Sequence, residues 1–280
     1  MKSTPLLEAY DWEQYERVIV LSPHLDDASL SCAGLLTALE GKVERLVVTI
    51  SGANPPPRDD EDAQARSRVR RGFAAPALRR QEDIASMREL RCDFVHLGFA
   101  DCIDRRSPTS GELIYRSQRV RWLQPSLEDA AHIEELYLVL RRLCGYAGKA
   151  LVVSPLGVGF HVDHRICAES ALRIARRNVH LLFYEDFPYV IYPSKRDGMA
   201  DTPEAALERL SLTASKRYHV TYDPDAKERA IAPYATQIPL LFENVESLRE
   251  GLRQRTHDGV PAETYWKPKL ATGNEEGRAR

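Results

Sequence analysis

The chain has 280 residues, 43% hydrophobic and 29% charged, which suits a large α/β core under a well-solvated surface. A net charge of −2 leaves no overall electrostatic case for a nucleic-acid or membrane partner. No apolar stretch reaches the length of a membrane span, and the N-terminus lacks the long apolar core and cleavage site of a signal peptide.

Short apolar runs alternate with amphipathic stretches, which predicts a Rossmann-like, mostly parallel sheet flanked by helices. Strand one is expected at Arg17–Ser22, followed by a helix from Asp27 to Leu39 whose small residues pack close to the sheet, with Gly41 as its C-cap. Strand two is expected at Arg45–Ile50. Residues 51–76, with Pro55-Pro56-Pro57 and an Arg/Asp-rich run, read as a long loop. A helix over Pro76–Leu90 and a strand over Phe94–Leu97 come next. Residues 101–125 read as an irregular excursion. A helix over Leu127–Cys144 leads to a strand at Ala150–Ser154, a helix over His161–Arg177 and a strand at His180–Tyr184. Beyond that point only helices are expected: one near 204–215, one from Asp225 to Gln237 opened by Asp223-Pro224, and one over Leu240–Gln254. The tail 272–280 is polar and expected to fray. With no repeat and no linker composition, the whole chain reads as one domain. The five cysteines (32, 92, 102, 144, 167) form no Cys-x-x-Cys pair and read as reduced packing thiols of a cytoplasmic protein.

Two histidine–carboxylate clusters stand out. Pro23-His24-Leu25-Asp26-Asp27 follows strand one, and His161-Val162-Asp163-His164 follows the strand ending at Ser154. Ligands in open α/β sheets bind at the carboxyl ends of strands, so both clusters belong on one edge. Two imidazoles and a carboxylate drawn from these loops can hold a zinc ion with one coordination position open, as catalytic zinc requires. The bland alternative makes Asp26, Asp27 and Asp163 helix caps. It leaves three of the chain's eight histidines in these two loops without a reason.

These residues also resemble a family. Pro23-His24-Leu25-Asp26-Asp27, Ser31-Cys32-Ala33-Gly34 and Gly159-Phe160-His161-Val162-Asp163-His164 are similar to the LmbE-like or PIG-L-type zinc deacetylases. Arg79-Arg80-Gln81-Glu82-Asp83, Lys227 with Tyr234-Ala235-Thr236-Gln237, and Glu263-Thr264-Tyr265-Trp266 look like further, weaker family segments. The resemblance implies an LmbE-like fold and hydrolysis of the acetyl group from an N-acetylglucosaminyl-type sugar. It implies Zn2+ held by His24, Asp27 and His164, with Asp26 as general base. His161 becomes the positively charged partner of the oxyanion, and Asp163 orients an imidazole. Leu25, Ala28 and Ala33 depart from the family pattern at non-ligand positions, so substrate identity does not transfer with the chemistry.

Arg79 or Arg80 is expected to reach a substrate hydroxyl, phosphate or carboxylate, Asp101 to line the pocket, and Tyr184-Glu185-Asp186, Glu185 above all, to touch substrate from the active edge. Arg66, Arg68, Arg70 and Arg71 read as a solvated run beside Asp59, Asp60, Glu61 and Asp62. The expected partner is a small-molecule or glycoconjugate substrate, and homo-oligomer formation is left open. Two alternatives stand: cleavage of another small amide such as a thiol-sugar conjugate, and a non-catalytic sugar-binding relative. A nucleotide-dependent dehydrogenase fails at the first turn, where acids and a histidine replace a glycine-rich phosphate loop.

Overall fold

A computed structural model describes residues 10–54, 73–116, 124–145, 149–175, 179–192 and 201–270. The arginine run at 66–71, the expected tail at 272–280 and most of the expected loop at 51–76 lie outside the described residues. The elements are β1 (Arg17–Ser22), α1 (Asp27–Ala38), β2 (Glu44–Thr49), α2 (Pro76–Glu89), β3 (Asp93–His96), α3 (Ala130–Gly145), β4 (Ala150–Pro155), α4 (Val162–Ala175), β5 (His180–Tyr184), α5 (Pro203–Arg209), β6 (Leu212–Thr221), α6 (Pro224–Ile231), α7 (Ile238–Phe242), α8 (Val245–Gln254), β7 (Thr256–His257) and β8 (Val260–Leu270). No helix among the described residues is long and apolar enough to cross a membrane.

The sheet order is β3-β2-β1-β4-β5-β8-β6, with β7 paired to β8. The first five strands run parallel, and β8 and β6 are antiparallel additions. Alternating side chains feed two apolar layers. Ile19, Leu21, Val48, Val152 and Phe183 face one layer with α3 and α4. Val18, Val20, Val47, Leu151, Val153 and Leu182 face the other, with α1. The order reverses between β1 and β4, so the crevice that binds ligands in such sheets opens at those two carboxyl ends.

Through β5 the elements follow the expected plan closely, except that the helix expected from Leu127 opens with a 3-10 turn over Leu127–Asp129 and becomes α-helical only at Ala130. The second half departs from it. The helix near 204–215 stops at Arg209, and the chain turns into the long strand β6. The segment after 254, where no strand is expected, forms β7 and β8. Asp223 does cap α6, accepting from the Asp225 amide, but that helix ends at Ile231 before Pro233. The expected 240–254 helix is broken at Glu243, whose φ of 69° cannot continue a helix, and a fresh cap at Asn244 starts α8.

β8 positions α1, which carries Asp27. The buried Glu263 carboxylate accepts from the Gly34 and Leu35 amides at 2.8 and 2.9 Å, from Lys227 Nζ at 2.6 Å and from the Tyr265 hydroxyl at 2.7 Å. Gly34 is required for this approach, because a Cβ there would meet the Tyr222 Cβ at 2.9 Å. Lys227→Met should therefore strand a buried carboxylate without its counter-charge. We expect a loss of about 3–5 kcal/mol in urea unfolding; a change below about 1 kcal/mol would show that Lys227 is not the counter-charge on which α1 docking depends.

Candidate functional site

The β1 turn is built by Ser22. Its hydroxyl donates to the His24 carbonyl at 2.7 Å and accepts from the Ala28 amide at 3.0 Å. Ser22 thus satisfies an amide of the first turn of α1 that Asp26 would otherwise cap. Asp26 occupies the cap position of α1 but makes no side-chain cap bond. Asp27 instead turns back, its Oδ2 accepting from the His24 amide at 2.8 Å. Asp163 lies in the first turn of α4, yet its carboxylate serves Cys102, Arg105 and His24 rather than its own helix. The capping alternative therefore fails for the side chains of Asp26 and Asp163.

The β4 loop approaches through glycines. Gly159 has φ +89°, and a Cβ there would meet the Tyr189 Cβ at 2.8 Å. The Gly157 and Val158 amides donate to Asp186 Oδ2, both at 2.8 Å, which anchors this loop to the end of β5.

These turns bring three imidazoles together. Ring centroids are 4.7 Å apart for His24 and His161, 5.3 Å for His24 and His164, and 5.2 Å for His161 and His164. His24 Nε2 lies 3.0 Å from Asp163 Oδ2, and its Nδ1 lies 3.1 Å from Asp27 Oδ2. His164 Nδ1 lies 2.6 Å from Asp186 Oδ1. Its buried Nε2 has no hydrogen bond of acceptable geometry and sits 3.3 Å from Asp27 Oδ2. His24 and His164 thus each have one nitrogen held by an outer carboxylate and the other turned toward Asp27. That is how metal-binding histidines are oriented, and the N,N,O donor set fits a divalent cation. Among the described residues, three groupings have ligand atoms within 4.8 Å of one another, and all fall on this cluster: His24–His161–His164, Cys102–His161–Asp163 and His24–Asp101–Asp163.

Electrostatics follow the pairing. Burial would depress His24, but Asp163 and Asp27 outweigh it and hold its pKa well above the usual value. Burial is likewise overcome at His164, which Asp27 and Asp186 raise to about 10. Burial would raise Asp27 and Asp163; His164 and His24 hold the first well below the carboxylate range, and Arg105 with His24 does so for the second. A cation entering here displaces the imidazole protons. Asp26 differs, since burial pushes it up to about 6 against the Arg79 guanidinium.

His161 Nδ1 accepts from the Asp163 amide at 3.3 Å, and its Nε2 lies 4.0 Å from Cys102 Sγ. An amide donor at Nδ1 leaves Nε2 as the ring nitrogen that can donate to a ligand.

The expected substrate-binding residues divide. Arg79 is 8% exposed; its Nη2 lies 3.4 Å from Asp26 Oδ2 and its Nη1 4.0 Å from Asp101 Oδ2. Among the described residues its buried Nε has no hydrogen-bond partner. Arg80 points elsewhere, donating to the Gly52 carbonyl at 2.8 Å and Asn54 Oδ1 at 2.9 Å. Glu185 is taken up by Arg255 and by the Trp266 indole at 2.9 Å. Its neighbour Asp186 is the acid that reaches His164. Arg105 and Asp129, both buried, are site residues that the sequence did not single out. The signal for Asp186 was its place at the end of β5, beside the loop that follows β4. For Arg105 and Asp129 there was no local signal.

A family model described as PIG-L, GlcNAc-PI de-N-acetylase, matches residues 19–175, more than half of the chain and both histidine clusters. The chain belongs to the PIG-L family. Among curated relatives of this PIG-L chain, the 2'-N-acetylparomamine deacetylase of Niallia circulans is 29% identical over 241 residues, 79% of this chain and 81% of its own length. The protein of that name from Streptomyces fradiae is 29% identical over 243 residues, 85% of this chain and 77% of its own. Among solved structures, the zinc-inhibited form of teicoplanin deacetylase Orf2 matches with a TM-score of 0.74 and 25% identity, covering 92% of this chain and 100% of that one. A bog complex of a deacetylase of teicoplanin biosynthesis matches with a TM-score of 0.73 and 26% identity, covering 92% of this chain and 100% of that one, in keeping with the expected α/β fold class.

Proposed function

We propose that this PIG-L chain is a zinc-dependent N-deacetylase that removes the acetyl group from an N-acetylated amino sugar carried on a larger metabolite. One observation carries the reading: the two imidazole nitrogens left available by their outer carboxylates both face Asp27, beside a second buried carboxylate, Asp26. The family description, a de-N-acetylase, and relatives acting on acetylparomamine and teicoplanin support it.

His24, Asp27 and His164 would hold the zinc. When bound, zinc polarises the amide carbonyl and lowers the pKa of water toward about 7. Asp26 takes the proton of the attacking water at its carboxylate and returns it to the leaving amine nitrogen. It makes no cap bond to α1, so its lone pairs are available for that exchange. His161 donates from Nε2 to the oxyanion of the tetrahedral intermediate. Asp163 and Asp186 orient His24 and His164. The guanidinium of Arg79 and the carboxylate of Asp101 would contact a sugar hydroxyl of the substrate.

Acetate release over a panel of N-acetylglucosamine, N,N'-diacetylchitobiose, 2'-N-acetylparomamine and an N-acetylglucosaminyl glycopeptide tests this. Release is expected from at least one of the two decorated metabolites, at a kcat/KM above that for the free sugar. Release from none of the four would contradict the proposal.

A further inference from the structure

Behind the imidazole cluster lies a buried chain of charges that the reaction itself does not use. Asp163 Oδ2 accepts from the Cys102 amide at 3.0 Å and faces His24 Nε2, while its Oδ1 is bonded by Arg105 Nη1. The other side of the Arg105 fork engages Asp129, Nε to Oδ1 at 2.9 Å and Nη2 to Oδ2 at 3.3 Å. The Tyr115 hydroxyl also donates to Asp129 Oδ2, and in turn accepts from the Ser126 amide at 3.0 Å. Arg105 is 4% exposed and Asp129 0%.

A guanidinium in such a place is costly to bury, and only paired carboxylates of matching geometry repay it. Two features show what the arrangement achieves. First, Asp163 is held from three directions, by an amide, a guanidinium and an imidazole. It cannot rotate without leaving a buried donor unpaired. Second, Arg105 comes from the 101–116 excursion, whereas Asp129 sits at the entrance to α3, so the fork ties two separate segments to one carboxylate.

We propose that Arg105, backed by Asp129, is a positioning residue of the site: it fixes the Asp163 carboxylate, and through it the ring orientation of His24. This rests on the reading of His24 as a zinc ligand. Lysine at position 105 would restore the charge against Asp163 but not the two-pronged contact with Asp129. Asparagine at 129 keeps the shape and removes the charge that aims the guanidinium.

Zinc affinity of the full chain, measured by competition with a chromophoric chelator, tests the inference alongside kcat and KM. Losing a direct outer partner of a metal-binding histidine costs about 10–100-fold in affinity. Arg105 acts one bond further out, so Arg105→Ala is expected to lose about tenfold, with a similar fall in kcat and little change in KM. Arg105→Lys should recover part of both. A folded Arg105→Ala protein with wild-type zinc affinity and kcat would overturn the inference. So would equal losses in the Ala and Lys variants, which would mark a packing role only. If Arg105→Ala does not fold, Asp129→Asn decides: weaker zinc binding supports the relay, and unchanged binding overturns it. A wild-type chain that takes up no zinc would instead sink the metal reading itself, and this inference with it.

Discussion

Asp26→Asn is expected to lower kcat for acetate release by about 10²–10⁴-fold while zinc content stays near that of the wild type, because only the proton acceptor is lost. Asparagine keeps the size of the side chain and a carbonyl oxygen for Arg79, whose Nη2 stands 3.4 Å away. The Ser22 contacts that shape the turn do not involve this side chain. KM should therefore move little. Turnover within about threefold of wild type would remove Asp26 as the base, since a general base contributes far more than that. Loss of turnover together with zinc would assign Asp26 to holding metal or structure instead.

His164→Ala is expected to abolish stoichiometric zinc binding, weakening it by more than the roughly 100-fold cost of losing an outer partner. The variant removes the Nδ1 contact with Asp186 at 2.6 Å and, among the described residues, the one buried imidazole nitrogen without a hydrogen-bond partner, Nε2. It also leaves Asp27 and Asp186 facing each other without the ring between them. Far-UV circular dichroism and thermal unfolding separate a lost site from a lost fold. A folded His164→Ala chain with a full zinc complement, measured by atomic emission, would overturn the ligand assignment.

The parallel half of the fold was legible because each of its strands is an apolar run and each helix carries sharp punctuation. The antiparallel half was not. β6 carries Lys216 and Arg217 exposed in mid-strand, and β8 contains Pro261 and Pro268, residues that argue against a strand interior. Register shifts between Ala214 and Lys216 where Pro268 pairs, so the proline is accommodated by an irregularity that only the partner strand reveals.

The site shows the same division. His24, Asp26, Asp27, His161, Asp163 and His164 are local features of two loops on adjoining strands, and topology alone brings them together. On α2 the buried face is Arg79, Glu82, Asp83, Ser86 and Met87, a helical stripe that is mostly polar. A search for apolar periodicity does not see such a stripe, yet the same spacing separates Arg79, on the stripe, from Arg80, off it. Glu82 and Asp83 are spent on Thr236 and on Tyr234 with His96, locking α2 to the segment after α6. Arg105, Tyr115 and Asp129 meet only through the tertiary fold of a region with no periodicity, so no window of sequence contains their relation.

The central claim is that this chain hydrolyses an N-acetyl group with one zinc held by His24, Asp27 and His164. Titrating zinc into chelator-stripped protein while following acetate release tests it most directly. Activity should be absent without metal and rise to a plateau at about one zinc per chain, as a site with three protein ligands requires. Full activity in the stripped protein, or a plateau that needs two or more zinc ions, would contradict it.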